Sequence, residues 1–138
     1  MSTEKNKAIM RRIVEEAFNK GNLAVVDECT AAGYVLHTTP ETKGPEGFKQ
    51  MVTMLRTAFP DMHQTIEDMV AEGDKVAHSV TWRGTFKGEY MGIAPTGKKF
   101  TVALAGFTRF AGGKQVEGWI YADALTFYQQ LGIPIPAQ

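Results

Sequence analysis

The chain has 138 residues, of which 43% are hydrophobic and 22% charged, and its 15 basic and 15 acidic side chains cancel. This length predicts a single domain over residues 1–138 whose core needs no disulfide or metal. The balanced charge argues against binding to nucleic acid or to an anionic membrane. A single cysteine, Cys29, excludes an internal disulfide, and neither a signal peptide nor a membrane-spanning run is evident. We therefore expect a soluble cytoplasmic protein.

The first half of the chain predicts three helices. Apolar residues recur at spacings of three and four, which is typical of amphipathic helices. Gly21 ends the first helix, Asn22 caps the second, and Pro45 fits the first turn of the third. The predicted helices span residues 3–20, 23–29 and 45–58, and a short strand is expected at residues 34–37.

The second half predicts four long strands followed by a short helix. Runs rich in β-branched and aromatic residues cover residues 62–72, 75–87, 100–110 and 115–122. Hairpin turns are expected at 73–74 and 111–114, and a helix at 124–131 that ends at Gly132. Helices followed by a run of strands predict an α+β fold, with the helices on one side of an antiparallel sheet. Because long twisted strands curl, we expect a curved sheet that encloses an apolar pocket with the N-terminal helices.

Motifs with known chemistry are missing from the sequence. There is no glycine-rich nucleotide loop, zinc-protease motif or nucleophile elbow. The histidines, at positions 37, 63 and 78, are far apart and no two of them have a metal-ligand spacing. We therefore predict no metal site, and we interpret Cys29 as a small buried residue rather than a nucleophile.

The end of the last strand holds the best candidate for a catalytic group. Side chains alternate along a strand, so Glu117, Trp119, Tyr121 and Asp123 share one face, and the two large rings predict that this face is covered. Burial beside these rings would raise the pKa of Asp123 into the range useful for general acid–base chemistry. Asp123 also directly precedes a predicted helix and can cap it. The local sequence does not decide between these two roles.

Two histidines raise a similar question. His37 ends a short strand and can point either into the cavity or out to water. His78 shares a strand face with Val76, Val80 and Trp82, which predicts an inward position, where a backbone group would satisfy it. His63 lies near a strand start and is expected to be solvated.

Motifs along nearly the whole chain resemble those of a known family. They are GPEGF at 44–48, FPD at 59–61, EGD-x-V at 72–76, W-x-GT at 82–85, G-x-x-PTG at 92–97 and W-x-x-x-D followed by QLG at 119–132. Together they resemble the SnoaL-like polyketide cyclases (ester cyclases), which belong to the nuclear-transport-factor-like superfamily with ketosteroid isomerase and scytalone dehydratase.

The resemblance implies a cone-shaped α+β barrel with helices at its mouth, usually as a homodimer. It implies an intramolecular aldol closure of a polyketide ester, without metal or organic cofactor, in which an aspartate deep in the pocket shuttles the proton. The family motif places this aspartate at Asp123, which favours its catalytic role, and places a further pocket histidine at His37. The residues that we expect to contact the substrate are Trp82, Phe86, Tyr90, Met91, Leu104, Trp119 and Tyr121.

The sequence also departs from the family pattern. Phe86 stands where relatives commonly have histidine, the run 102–107 has no polar side chain, and Ala122 is smaller than the usual aromatic residue. These changes predict a larger and more apolar pocket. Three functions stay open: a cyclase or isomerase acting on a hydrophobic carbonyl compound, a binding protein for a steroid- or polyketide-sized ligand, whose pocket could equally be a redesigned one, and a dimerisation domain.

Overall fold

The computed structural model describes residues 2–135, which contain four α-helices. They are α1 (Thr3–Arg12), α2 (Leu23–Cys29), α3 (Gly44–Ala58) and α4 (Ala124–Leu131). The predicted first helix is correct in extent, but its second half, Ile13–Phe18, is π-helical. The Ser2 hydroxyl caps α1 by accepting a hydrogen bond from the Lys5 amide (3.1 Å). None of the helices described is long and apolar enough to cross a membrane.

Six strands form one curved, unclosed sheet. They are β1 (Thr30–Leu36), β2 (Thr42–Lys43), β3 (His63–Glu72), β4 (Lys75–Thr85), β5 (Lys99–Ala111) and β6 (Lys114–Ala122), in the order β2-β1-β6-β5-β4-β3. The predicted α+β fold is confirmed. The sheet is mixed rather than antiparallel, because β1 pairs with β6 in parallel, and β2 was not predicted.

The inner face of the sheet is set by the even-numbered residues of β4 and β5. Burial alternates along β5, where Phe100, Val102 and Phe110 are buried and their odd-numbered neighbours are largely exposed. Helices α1 and α3 cover this face together with the π-helical segment. Helix α4 packs on β5 and inserts Phe127 among the rings of Trp82, Phe59 and Phe100.

A one-residue bulge in β6 decides which of its side chains face inward. Phe110 pairs with Gln115, but the next pair is Arg109 with Glu117, so Val116 is the extra residue. From there Gly118, Ile120 and Ala122 lie opposite inner residues of β5. The prediction that Glu117, Trp119 and Tyr121 face inward is therefore wrong, because they lie on the outer face.

Candidate active site

A cavity of about 290 Å³ lies between the inner face of the sheet and the helices. Most of its wall consists of apolar side chains from α1, the π-helical segment, α3, α4 and the sheet. The cavity opens where β6 runs into α4, since Ile120, Ala122 and Asp123 line it and are also exposed to solvent. Its shape fits the usual small-molecule site, an apolar cleft with few polar groups.

Asp123 lies at this mouth and caps α4. Its Oδ1 accepts a hydrogen bond from the Thr126 amide (3.1 Å), and its Oδ2 accepts one from the Thr126 hydroxyl (2.6 Å). These hydrogen bonds, that of the hydroxyl foremost, lower the pKa of the Asp123 carboxyl below its usual value. The prediction of a raised pKa is therefore wrong, because the carboxylate is exposed and its neighbours donate hydrogen bonds to it. The alternative role as a helix cap is confirmed.

His37 lies on the outer face, not in the cavity. Its Nε2 is 2.7 Å from Glu117 Oε2, its Nδ1 is 3.0 Å from Glu41 Oε2, and its ring stacks on Trp119. The hydrogen bond to Glu117 raises the pKa of His37, and the hydrogen bond to Glu41 adds to this effect. The predicted place of His37 in the pocket is wrong. Leu36 pairs with Gly118, an inner residue of β6, and is buried, so the next side chain, that of His37, points to the outer face.

Three of the seven predicted contact residues have side chains that line the cavity. These are Trp82, Tyr90 and Leu104. Burial raises the pKa of Tyr90 to about 12, so its phenol is protonated. Phe86 is buried behind them against Phe59.

The side chains of the other three residues predicted to contact the substrate lie outside the cavity. Met91 projects from the loop with 68% of its surface exposed, and Tyr121 is exposed on the outer face. Trp119 borders the cavity, but its ring lies outside, between His37 and the Lys75 ammonium, which is 5.5 Å from the ring centroid.

Several polar side chains of the cavity were missed by the sequence analysis. They are Tyr34, Gln64, Thr108 and Gln115, all buried. The inward position of His78 is confirmed, but the backbone partner that we expected for it is not found among residues 2–135, where its Nδ1 has no hydrogen-bond partner. The strand alternation that identified His78 would also have found Thr108, which lies two residues from Gly106, the residue opposite His78.

The cavity can bind an apolar molecule of moderate size and present one carboxylate to it at the mouth. Asp123 is ionised at neutral pH, so it can accept a proton but not donate one from its resting state. In the described part of the chain, no three His, Cys, Asp or Glu side chains gather as a metal site requires.

Comparisons with known proteins show that the chain is similar in sequence to polyketide cyclases. The family model of the SnoaL-like polyketide cyclases matches residues 8–131. The aklanonic acid methyl ester cyclase of Streptomyces peucetius is 32% identical over 133 residues, covering 93% of this chain and 91% of that protein. The nogalonic acid methyl ester cyclase of Streptomyces nogalater is 29% identical, with coverage of 87% and 92%.

Solved structures of similar proteins share the fold of this chain. TsrD of Streptomyces laurentii superposes with a TM-score of 0.89 at 25% identity and covers 97% of this chain and 99% of its own. IdmH of Streptomyces antibioticus superposes with a TM-score of 0.78 at 32% identity, with coverage of 93% and 99%.

Proposed function

The chain belongs to the SnoaL-like polyketide cyclase family, and we propose on this basis that it catalyses a cofactor-independent cyclisation or isomerisation of a hydrophobic, polyketide-like carbonyl compound. The observation that carries the proposal is the position of Asp123. Asp123 lines the mouth of the cavity, and its carboxylate is held by two hydrogen bonds from Thr126. A bound molecule would therefore meet a fixed, ionised base.

The proposed reaction needs only a proton acceptor and a cavity that holds the substrate away from water. Asp123 accepts a proton from a carbon next to a carbonyl group, and the enolate carbon then forms a bond to a second carbonyl carbon of the same molecule. The proton returns from Asp123 to the alkoxide oxygen, so the product is an isomer of the substrate and no oxidant is needed. The apolar wall would exclude water from the enolate while the new ring forms.

A second candidate function is a binding protein for a hydrophobic ligand, without turnover. The lowered pKa of Asp123 favours this second function, because it makes the carboxylate a weaker base. Both carboxylate oxygens also take part in the helix cap, a structural role that is sufficient to explain the residue.

The substitution Asp123→Asn separates these candidates, because asparagine caps a helix about as well as aspartate but cannot accept the proton. With aklanonic acid methyl ester or nogalonic acid methyl ester as the test substrate, we expect turnover to fall by roughly 10²–10⁴-fold, the usual contribution of a positioned acid–base group. Asp123→Asn should melt within about 1–2 °C of the parent, whereas Asp123→Ala loses the cap and should lower Tm by about 2–8 °C.

Asp27→Asn is the matched control, since Asp27 is an exposed partner of Lys49 outside the cavity and should keep full turnover. Equal turnover of the parent and Asp123→Asn would contradict the proposed mechanism. Tight substrate binding by a parent that neither converts the substrate nor exchanges its acidic proton with deuterium oxide would instead establish the binding protein.

We also propose that two copies of the chain associate through the outer face of the sheet. Val70, Phe107 and Tyr121 form an exposed apolar patch there, since Phe107 packs edge-on against Tyr121 and lies in register with Ala77, the partner of Val70. Such a patch on a small protein usually marks an interface. Charges of both signs flank it at Lys75, Arg109 and Glu117, which suits the self-complementary contact of a two-fold dimer.

A further inference from the structure

Two glycines of the sheet each lie beneath a polar ring that lines the cavity. A Cβ added to Gly106 would be 3.2 Å from Cε1 and 3.6 Å from Nε2 of His78. A Cβ added to Gly118 would be 2.8 Å from the hydroxyl oxygen of Tyr34. The missing side chain of Gly118 therefore makes the space that the phenol oxygen occupies, whereas a Cβ at Gly106 would first meet the backbone oxygen of Trp119, at 2.5 Å, and would lie in close contact with the imidazole.

The two rings approach the same patch of the sheet. Gly118 pairs with Thr108 and Gly106 pairs with Ile120, so the two glycines are diagonal neighbours, roughly 7–8 Å apart. Thr108 lies beside them with its side chain buried and facing the cavity. We call this patch, made by Tyr34, His78 and Thr108 over the two glycines, the polar floor.

Within residues 2–135, the Nδ1 atom of His78 is buried without a hydrogen-bond partner. Tyr34 is only 2% exposed, and burial alone accounts for its altered pKa, as it does for that of His78. Gln115, which also lines the cavity, donates to the Thr30 hydroxyl (2.9 Å). Because buried polar groups are almost always bonded, the Tyr34 hydroxyl and the other ring nitrogen of His78, Nε2, are the atoms to which a molecule in the cavity can offer a hydrogen bond.

Both groups are uncharged at neutral pH. Burial raises the pKa of the Tyr34 phenol, so it keeps its proton and donates through O–H. Burial lowers the pKa of His78, so its ring carries one N–H donor and one acceptor nitrogen. Since Nδ1 is sequestered from solvent, Nε2 is the nitrogen that a ligand can reach. A neutral set of this kind suits a hydroxyl or carbonyl oxygen better than an anion.

The polar floor is far from the carboxylate at the mouth. Ile120, opposite Gly106, is three residues before Asp123, and Gly118 is five residues before it. At about 3.3 Å per strand residue these separations are roughly 10 and 16 Å. The polar floor and the Asp123 carboxylate are therefore too far apart to act on the same carbon atom of a ligand.

We infer that Tyr34 and His78 form a neutral hydrogen-bonding subsite that selects ligands with a hydroxyl or carbonyl oxygen at the end remote from Asp123. The inference rests on the proposed function only in that the ligand enters the same cavity. It makes both residues determinants of specificity rather than of the chemical step.

The test compares two probes of nearly the same shape, 2-naphthol and 2-methylnaphthalene, which differ by a hydroxyl and a methyl group. Their dissociation constants are measured by displacement of an apolar fluorescent dye. In Tyr34→Phe we expect the affinity for 2-naphthol relative to 2-methylnaphthalene to fall by about 2–10-fold, the worth of one hydrogen bond. A similar fall is expected in His78→Leu, and a larger one in the double variant. Tyr121→Phe makes the same chemical change on the outer face and should leave the ratio unchanged.

Nitrogen NMR of the parent protein gives a readout that needs no variant to fold. We expect 2-naphthol, but not 2-methylnaphthalene, to shift the ring nitrogen resonances of His78, while His37 and His63, which do not line the cavity, serve as references. A relative affinity that stays within twofold in all three variants, or a His78 signal that responds to both probes alike, would overturn the inference. The affinity ratio is measured without turnover, so a failure of the proposed chemistry is distinguishable from a failure of the subsite.

Discussion

Replacing Phe127 by alanine tests how much the packing of α4 on the sheet contributes to the stability of the fold. The Phe127 ring is 8% exposed, stacks on Trp82 with centroids 5.0 Å apart, and meets Phe100 and Phe59 edge-on at 5.1 and 5.9 Å. Removing a buried phenyl ring costs about 3–5 kcal/mol of the free energy of unfolding. Because the ring borders an existing cavity and alanine favours the helix, we expect the lower end, about 3 kcal/mol, and a Tm lower by roughly 10 °C.

Urea denaturation followed by circular dichroism measures this loss. Leu125→Ala is the matched control, because Leu125 lies on the same helix with 51% of its surface exposed and should cost less than about 1 kcal/mol. The apolar dye should bind more weakly to Phe127→Ala, since the substitution opens the wall between α4 and β4. A loss no larger than that of Leu125→Ala would refute the view that Phe127 anchors α4 on the sheet.

Two further predictions concern the outer face. Since its hydrogen bonds raise the pKa of His37 above the unfolded value near 6.5, they should stabilise the fold fully below about pH 6.5 and progressively less as the pH rises through the raised pKa. His37→Gln should remove this part of the pH dependence, so melting curves from pH 6 to 9 that fall equally in both proteins would contradict the assignment. The parent should have twice the chain mass of 15.2 kDa in light scattering and Phe107→Asp the mass of one chain; a parent that is monomeric at tens of micromolar would count against the dimer.

Local signals in the sequence were enough to locate most elements. Helix α4 begins after Asp123 and ends at Gly132 in the left-handed conformation, as a capping aspartate and a terminal glycine predict. The turn at Gly73, whose φ is +60°, likewise fixes the β3–β4 hairpin. Each of these signals acts over a few residues, so it can be recognised in the sequence without knowledge of the tertiary contacts.

These local signals could not predict contacts between segments that are distant in the sequence. Strand β1 begins at Thr30, four residues before the predicted start, and its partner β6 lies about 80 residues away. The Thr30 hydroxyl accepts a hydrogen bond from Gln115, a contact that no local pattern announces. Parallel pairing with β6 also fixes which way Leu36 and His37 point, and it accounts for the misplacement of His37.

Val116, the extra residue of the β6 bulge, accounts for the largest difference between the predicted and the observed site. Had the pairing of Phe110 with Gln115 continued in register, Thr108 would face Glu117 and Gly106 would face Trp119, and the aromatic face of β6 would line the cavity as predicted. The bulge moves every later residue of β6 to the other face, so Gly118 replaces Glu117 opposite Thr108, and Ile120 replaces Trp119 opposite Gly106. The space above Gly118 then admits the Tyr34 hydroxyl, and Gly106 lies directly against the His78 ring of the neighbouring strand. One inserted residue thus removes the predicted aromatic wall and makes room for the Tyr34 hydroxyl. Strand alternation in β4 and β5 is enough to place His78 and Thr108, but the position of the Tyr34 hydroxyl depends on the bulge and could not be found from alternation alone.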